Sequence, residues 1–271
     1  VPHMRITCPD PVGSLSLLYR DRPLPSRGLK LNFKQMKKKE EKGVSDPHDA
    51  FIKKVLKSKE DAKSLIKGVL PEYLKKTIRL NTLRLLPDSY VDGSLKKSFS
   101  DIVYQVDGIS DTKHNISFII EHKSFAPKVN VRLQFVNYFF GVVDTQIAQN
   151  IKPPALPIII FLYHGEKKWH DEPLWTLFGD VPTFLRPFIP DFEFIPVVFD
   201  DYDDEKVKQV FDSYKIRATF MVMRDINKKL QFAGTFMAVL NLIPKHISIN
   251  EIIDFLNFLL YYVENVYDVK Y

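Results

Sequence analysis

Four short stretches rich in aliphatic, aromatic and β-branched residues, three before and one after a single long helical repeat, limit what this chain can fold into. Leu83 to Val91, Phe99 to Val106 and Ile116 to Lys123 are separated by Asp92-Gly93-Ser94 and by the polar run Asp107 to Asn115, and read as three strands joined by hairpin-like turns. After Pro127 a helix is predicted over roughly Val129 to Gln149, because Leu133, Val136, Phe140, Val143 and Ile147 recur every three or four residues. Pro153, Pro154 and Pro157 stop it, and Ile158 to Tyr163 reads as a fully buried strand. Strands and helices in this order predict an α/β fold.

Helices are expected on both sides of this block. From His48, Phe51, Ile52, Val55 and Leu56 share a helical face, and Ser58 followed by Asp61 resembles a capping box opening a second helix through Leu70, which Pro71 ends. The last third predicts a strand at Phe192 to Phe199, an acidic turn at Asp200 to Glu205, and helices near Glu205 to Met223, Lys228 to Leu242 and Ser248 to Val266. Phe255, Phe258, Leu259, Leu260, Tyr261 and Tyr262 in the final helix read as core, with an oligomer contact as the minority reading. Residues 1–35, with Pro2, Pro9, Pro11, Pro23 and Pro25 and no sustained period, are expected to be disordered or foreign to the native protein; Met36 then opens a lysine-rich run, Lys37 to Lys39. The expected organisation is a core domain over 36–200 and a helical region over 201–271 packed on it.

Composition narrows the setting. With 45% hydrophobic residues and 21 phenylalanines in 271 residues, the chain can bury a large core. Cys8 is the single cysteine, which excludes an internal disulfide and a cysteine-based zinc site and points to a reducing compartment. No apolar run is long enough to span a bilayer, so a cytoplasmic protein with no membrane partner is expected. The 39 basic residues outnumber the 33 acidic ones, a net charge of +6 that mildly favours polyanions. Lys37 to Lys39, Lys53-Lys54, Lys75-Lys76 and Lys96-Lys97 are candidate phosphate contacts, though such pairs are more often solvated surface.

Ile119-Ile120-Glu121-His122-Lys123 breaks an apolar run with polar residues, and the two-residue strand period puts Glu121 and Lys123 on one face. Asp101 stands near the start of the preceding strand, so antiparallel pairing would bring both carboxylates to one sheet edge. Two carboxylates and an ammonium suit phosphodiester hydrolysis: the carboxylates hold a hard divalent cation, and the ammonium stabilises developing charge or helps deprotonate water. A Glu-x-Lys pair at a strand end is common, and it gains weight here from context. Gln134 and Tyr138, four residues apart on the next helix, form a polar pair that can face the same site.

Ser100-Asp101-Ile102-Val103-Tyr104, Ile120-Glu121-His122-Lys123-Ser124 and Gln134-x-x-x-Tyr138 together resemble the PD-(D/E)xK nucleases, including the helix motif of their RecB-like branch. More narrowly, His48 to Lys53, Leu70-Pro71, Ser100-Asp101, Glu121 to Ser124, and Tyr163-His164-Gly165 with Trp169 look like the Rpn family of recombination-promoting nucleases, also called transposases. The resemblance runs from about His48 to Trp175, and many relatives carry Gln where this chain has Lys123. It implies a restriction-endonuclease-like core, a mixed central sheet flanked by helices, with a C-terminal helical extension. It also implies Asp101 and Glu121 as metal ligands, the His122 carbonyl as a further one, Lys123 as the catalytic basic residue, and Gln134 and Tyr138 as groups that position substrate or support the site. Mg²⁺ is the expected cofactor, with Mn²⁺ or Ca²⁺ as substitutes; DNA is the expected partner, and a homodimer would suit two-strand cutting.

The implied activity is a DNA endonuclease acting in recombination, mobile-element movement or phage defence. Its alternatives are a catalytically silent nucleic-acid-binding or interaction module and an RNA-directed nuclease. Asp49 reads first as a helix N-cap and only second, with His48, as a metal ligand. His164-Gly165 reads first as a turn and second as a substrate-contacting loop.

Overall fold

In the computed structural model the described residues are 46–86, 102–108 and 114–267, all within one compact unit, Val44–Tyr271. Asp101, Cys8, residues 1–35, the Lys37 to Lys39 run, Lys96-Lys97 and the outer ends of the first two predicted strands lie outside them.

The chain opens with α1 (Pro47–Leu56), which buries the predicted face of Phe51, Ile52, Val55 and Leu56. Its N-cap is Asp46, not Asp49: the Asp46 carboxylate accepts from the amides of His48 and Asp49, and Pro47 occupies the first turn, where a missing N–H costs nothing. Helix α2 (Lys59–Val69) starts at the predicted Ser58 cap, whose hydroxyl accepts from the Asp61 amide, and is followed by the single turn α3 (Glu72–Lys75).

A five-stranded sheet follows in the order β1 (Arg84–Leu85), β2 (Ile102–Val106), β3 (Ile116–Lys123), β4 (Leu156–Tyr163), β5 (Ile195–Val198). The first three strands are antiparallel neighbours, while β3, β4 and β5 run parallel. The long helix α4 (Val131–Ala148) makes the crossover that a parallel β3–β4 pair requires. The rest is α5 (Asp204–Val210), α6 (Tyr214–Asp225), α7 (Lys229–Leu242) and α8 (Ile249–Tyr267). The predicted helix over Glu205 to Met223 is two helices, because Ser213 caps a new one by accepting from the amides of Lys215 and Ile216.

The sheet separates two cores. On one face Phe118, Ile120, Ile160, Leu162 and Val197 meet α1, α2, α6 and α8; on the other Ile119, Ile159 and Phe161 meet α4 through Val131, Phe135, Tyr138 and Val142. With both faces covered, β3 and β4 read as nearly continuous apolar runs. The face of α4 is a correction to the sequence reading. Leu133, Phe140 and Ile147, expected inside, are 44%, 55% and 54% exposed. The helix is apolar all round, so periodicity did not choose a face, and the shape of the aromatic cluster beneath it does.

Close packing of α2 on the C-terminal part gives a test. A methyl added at Gly68 would lie 2.6 Å from the ring of Phe211 and 2.9 Å from Val210 Cγ1, and Phe211 is fully buried between Tyr202 and Phe220. Gly68→Ala is expected to destabilise by about 1–2 kcal/mol, overpacking outweighing the gain in helix propensity. Urea unfolding checks this, and a more stable variant would contradict it.

Candidate functional site

Glu121 and Lys123 lie at the end of β3 on the α4 side of the sheet, in phase with Ile119. Glu121 is 2% exposed, and its Oε1 is 2.5 Å from the Lys123 ammonium and accepts a 3.0 Å hydrogen bond from Gln134 Nε2. Gln134 also donates to the Tyr138 hydroxyl, one turn further along α4. Glu121, Lys123, Gln134 and Tyr138, four of the described residues that the sequence singled out, are therefore brought together. The other carboxylate oxygen, Glu121 Oε2, is buried and has no hydrogen-bond partner among the described residues. A buried, unsatisfied carboxylate oxygen is costly, and it marks where a ligand would be gained.

The backbone adds a second feature. Lys123 O accepts the His164 amide at 3.2 Å from the β4 side. Successive carbonyls of a strand point to opposite edges, so the carbonyl of His122 faces the β2 side. There β2 begins, among the described residues, at Ile102, whose partner is Ile120.

The His122 side chain points away from Glu121, into the other core, where the structure holds an arrangement that sequence reasoning missed. His122 Nε2 is 2.9 Å from His164 Nδ1, His164 Nε2 is 3.2 Å from His48 Nδ1, and His48 Nδ1 is 2.8 Å from the Tyr262 hydroxyl. His164 directly follows β4; it and Gly165 lie in irregular backbone rather than the expected turn, a bend comes only at 166–167, and the His164 ring is buried rather than presented to solvent. Gly165 is required beside it, because a Cβ there would overlap the Tyr163 hydroxyl. No motif spacing joins His48, His122, His164 and Tyr262. They meet only because β3 and β4 are parallel neighbours and α1 and α8 cross the same face.

Asp49 bonds Lys53 at 2.5 Å; burial raises its pKa against the pull of that ammonium, and the charges of Asp46 and Glu121 add to the rise. Burial also lowers the three histidines: His164 to about 3, with His48 adding to the effect, His122 well below its usual value, with His164 and His48 adding, and His48 more modestly, against the charge of Asp46. Of the described lysines in these pairs, Lys53 is held by Asp49, Lys54 lies over the Phe258 ring, and Lys75 is paired with Glu72. Near the site Arg132, in the first turn of α4, clamps the segment before β5 through Asp171, Asp191 and the Phe192 carbonyl. Among the described residues no group of three or more His, Cys, Asp or Glu side chains could hold a metal ion, and no helix is long and apolar enough to cross a membrane.

The fold and site thus define a mixed α/β protein with a buried acid, an ammonium and an amide gathered at the end of a central strand. The chain belongs to the family described as "Putative transposase, YhgA-like", whose model matches residues 46–254. It is similar to three curated Escherichia coli proteins. The inactive recombination-promoting nuclease-like protein RpnE of strain K12 is 32% identical over 54% of this chain and 48% of its own length. The recombination-promoting nuclease RpnD of O157:H7 is 30% identical, over 53% and 55%. The recombination-promoting nuclease RpnA of strain K12 is 26% identical, over 46% and 42%. The chain thus spans about half the length of the curated relatives it matches, and no solved structure matches it.

The buried histidines set the direction of a pH effect. Their folded pKa values lie below the unfolded value near 6.5, so the unfolded state binds protons that the folded state refuses. Their contribution is complete above that value and is lost as pH falls toward 3, by up to about 1.4 kcal/mol per pH unit for His164. Urea midpoints should already decline between pH 6.5 and 5, above the range of most carboxylates. A flat profile there would contradict the burial of neutral imidazoles.

Proposed function

We propose that this chain is a metal-dependent nuclease of the PD-(D/E)xK type that hydrolyses phosphodiester bonds in DNA. The observation that carries the reading is the convergence of Glu121, Lys123 and Gln134 at the end of β3, with one oxygen of the buried carboxylate left without a partner among the described residues. That oxygen fits a hard divalent cation, Mg²⁺ first and Mn²⁺ or Ca²⁺ after it, because such ions take carboxylate and carbonyl oxygens. Glu121, the His122 carbonyl and Asp101, one residue before the start of β2, are the groups that would hold it. When bound, the cation supplies neutralisation of phosphate charge and a more acidic water.

The chain's own groups do the rest. Lys123 Nζ, within reach of Glu121 Oε1, donates to a phosphate oxygen as negative charge builds on it. Gln134 fixes the rotation of the Glu121 carboxylate through Oε1, which leaves Oε2 for a cation, and Tyr138 in turn holds Gln134. Hydrolysis joins the oxygen of water to phosphorus and releases a sugar oxygen, which takes up a proton. A net charge of +6 favours the polyanionic substrate. Action on DNA in recombination belongs to the same proposal, supported by relatives named recombination-promoting nucleases, and a role in mobile elements or phage defence, as a homodimer in the cytoplasm, is proposed with it.

The similarity to a protein named inactive supports a second reading, a silent module of the same fold. Nicking of supercoiled plasmid with Mg²⁺ separates the two. The parent is expected to cut, and Asp101→Ala, Glu121→Gln and Lys123→Ala each to lose about 100-fold or more. Equal rates in parent and variants would sink the site. No cutting, with no Mg²⁺ heat that depends on Glu121 in calorimetry, would favour the silent module. A matched RNA substrate in the same assay decides between the polymers.

A further inference from the structure

The four-residue chain on the far face of β3 has no part in the chemistry above, yet it ends on the residue between Glu121 and Lys123. We propose that Tyr262, His48, His164 and His122 form a positioning relay that fixes the end of β3, and with it the His122 carbonyl and the Glu121 carboxylate, against α1 and α8. For its catalytic consequence this rests on the nuclease reading of that same site.

Geometry carries the argument. On the β4 side the strand end is laddered through Lys123 O and the His164 amide, whereas on the β2 side the described partner begins opposite Ile120. The side chain of His122 supplies a further tie at this level. Its ring lies within 13° of the His164 plane, with centroids 4.9 Å apart, so the 2.9 Å contact runs edge to edge between nearly coplanar imidazoles. His164 uses both nitrogens, the second toward His48 in the first turn of α1, and it is buried against Phe199.

The far end is anchored as firmly. Tyr262 is buried in α8, and its ring stacks on Phe51 of α1 at 4.1 Å and 15°. A neutral imidazole has one donor and one acceptor nitrogen, so such rings can join in a chain. With every proton on Nε2, His122 donates to His164 Nδ1, and His164 and the Tyr262 hydroxyl share the one lone pair of His48 Nδ1, the 2.8 Å bond from Tyr262 being the stronger and the 3.2 Å contact from His164 the weaker. Partners behind a ligand commonly change metal affinity or activity by about 10–100-fold when removed.

Two substitutions keep the relevant nitrogen position while changing the residue. The amide of Gln reaches the place of His Nε2, which is what His122 uses, and that of Asn the place of Nδ1, which is what His48 uses. Parent, His122→Leu, His122→Gln, His48→Leu, His48→Asn and Tyr262→Phe are compared by Mn²⁺ calorimetry, by kcat and KM on plasmid, and by amide hydrogen exchange at residues 121–123. In the two Leu variants and Tyr262→Phe, Mn²⁺ affinity and kcat should fall on the order of tenfold with KM unchanged, and exchange at 121–123 should quicken. The Gln and Asn variants should restore both. Leu variants that fold and keep parental Mn²⁺ affinity and exchange would overturn the relay while leaving the nuclease reading intact. If the parent neither binds Mn²⁺ nor cuts, that reading falls by itself, and exchange at 121–123 alone decides: faster in His122→Leu supports the relay, unchanged overturns it.

Discussion

Burying a carboxylate at the end of a strand covered on both faces is the constraint around which the site is arranged. Glu121 closes the run Ile116 to Glu121, in which every residue of β3 is buried, and leaving a charge there costs several kcal/mol unless it is met by partners. Lys123 and Gln134 meet one oxygen, and none of the described residues meets the other. A core built for stability alone would place an aliphatic residue here, as at Ile119 and Ile120 just before it. The imbalance at Glu121 is therefore better explained by binding than by folding.

The layers around the sheet follow from the same strand. The two-residue period sends Glu121 and Lys123 toward α4 and His122 toward α1 and α8, so one three-residue segment is read from both sides. On the α4 side the contacts are those of Glu121 with Lys123 and Gln134. On the other they are a line of imidazoles ending at a tyrosine under stacked rings. The helical C-terminal part is thereby tied to the strand end through Tyr262, which is more than a share in the core.

Much of this was legible in the sequence because it is local. The bounds of β3, the buried face of α1, the Ser58 cap and the facing of Gln134 toward Glu121 all follow from short-range spacing, and the family resemblance drawn from the same motifs agrees with the family model over residues 46–254. What was not legible depends on packing. The face of α4 was misread because Leu133, Phe140 and Ile147 are as apolar as the residues that went inside. Asp49 was read as a cap because the cap one turn earlier, Asp46, precedes a proline that opens the helix. The histidine line joins residues 42, 116 and 214 positions apart, and no sequence period carries such information.

The central claim is that the free oxygen of Glu121 is a metal ligand. The most direct measurement is the anomalous scattering of Mn²⁺ in crystals of the full chain. The account predicts a single strong peak about 2.0–2.3 Å from Glu121 Oε2, with an Asp101 oxygen and the His122 carbonyl in the same coordination sphere. Mn²⁺ bound elsewhere, with nothing beside Glu121 Oε2, would contradict it.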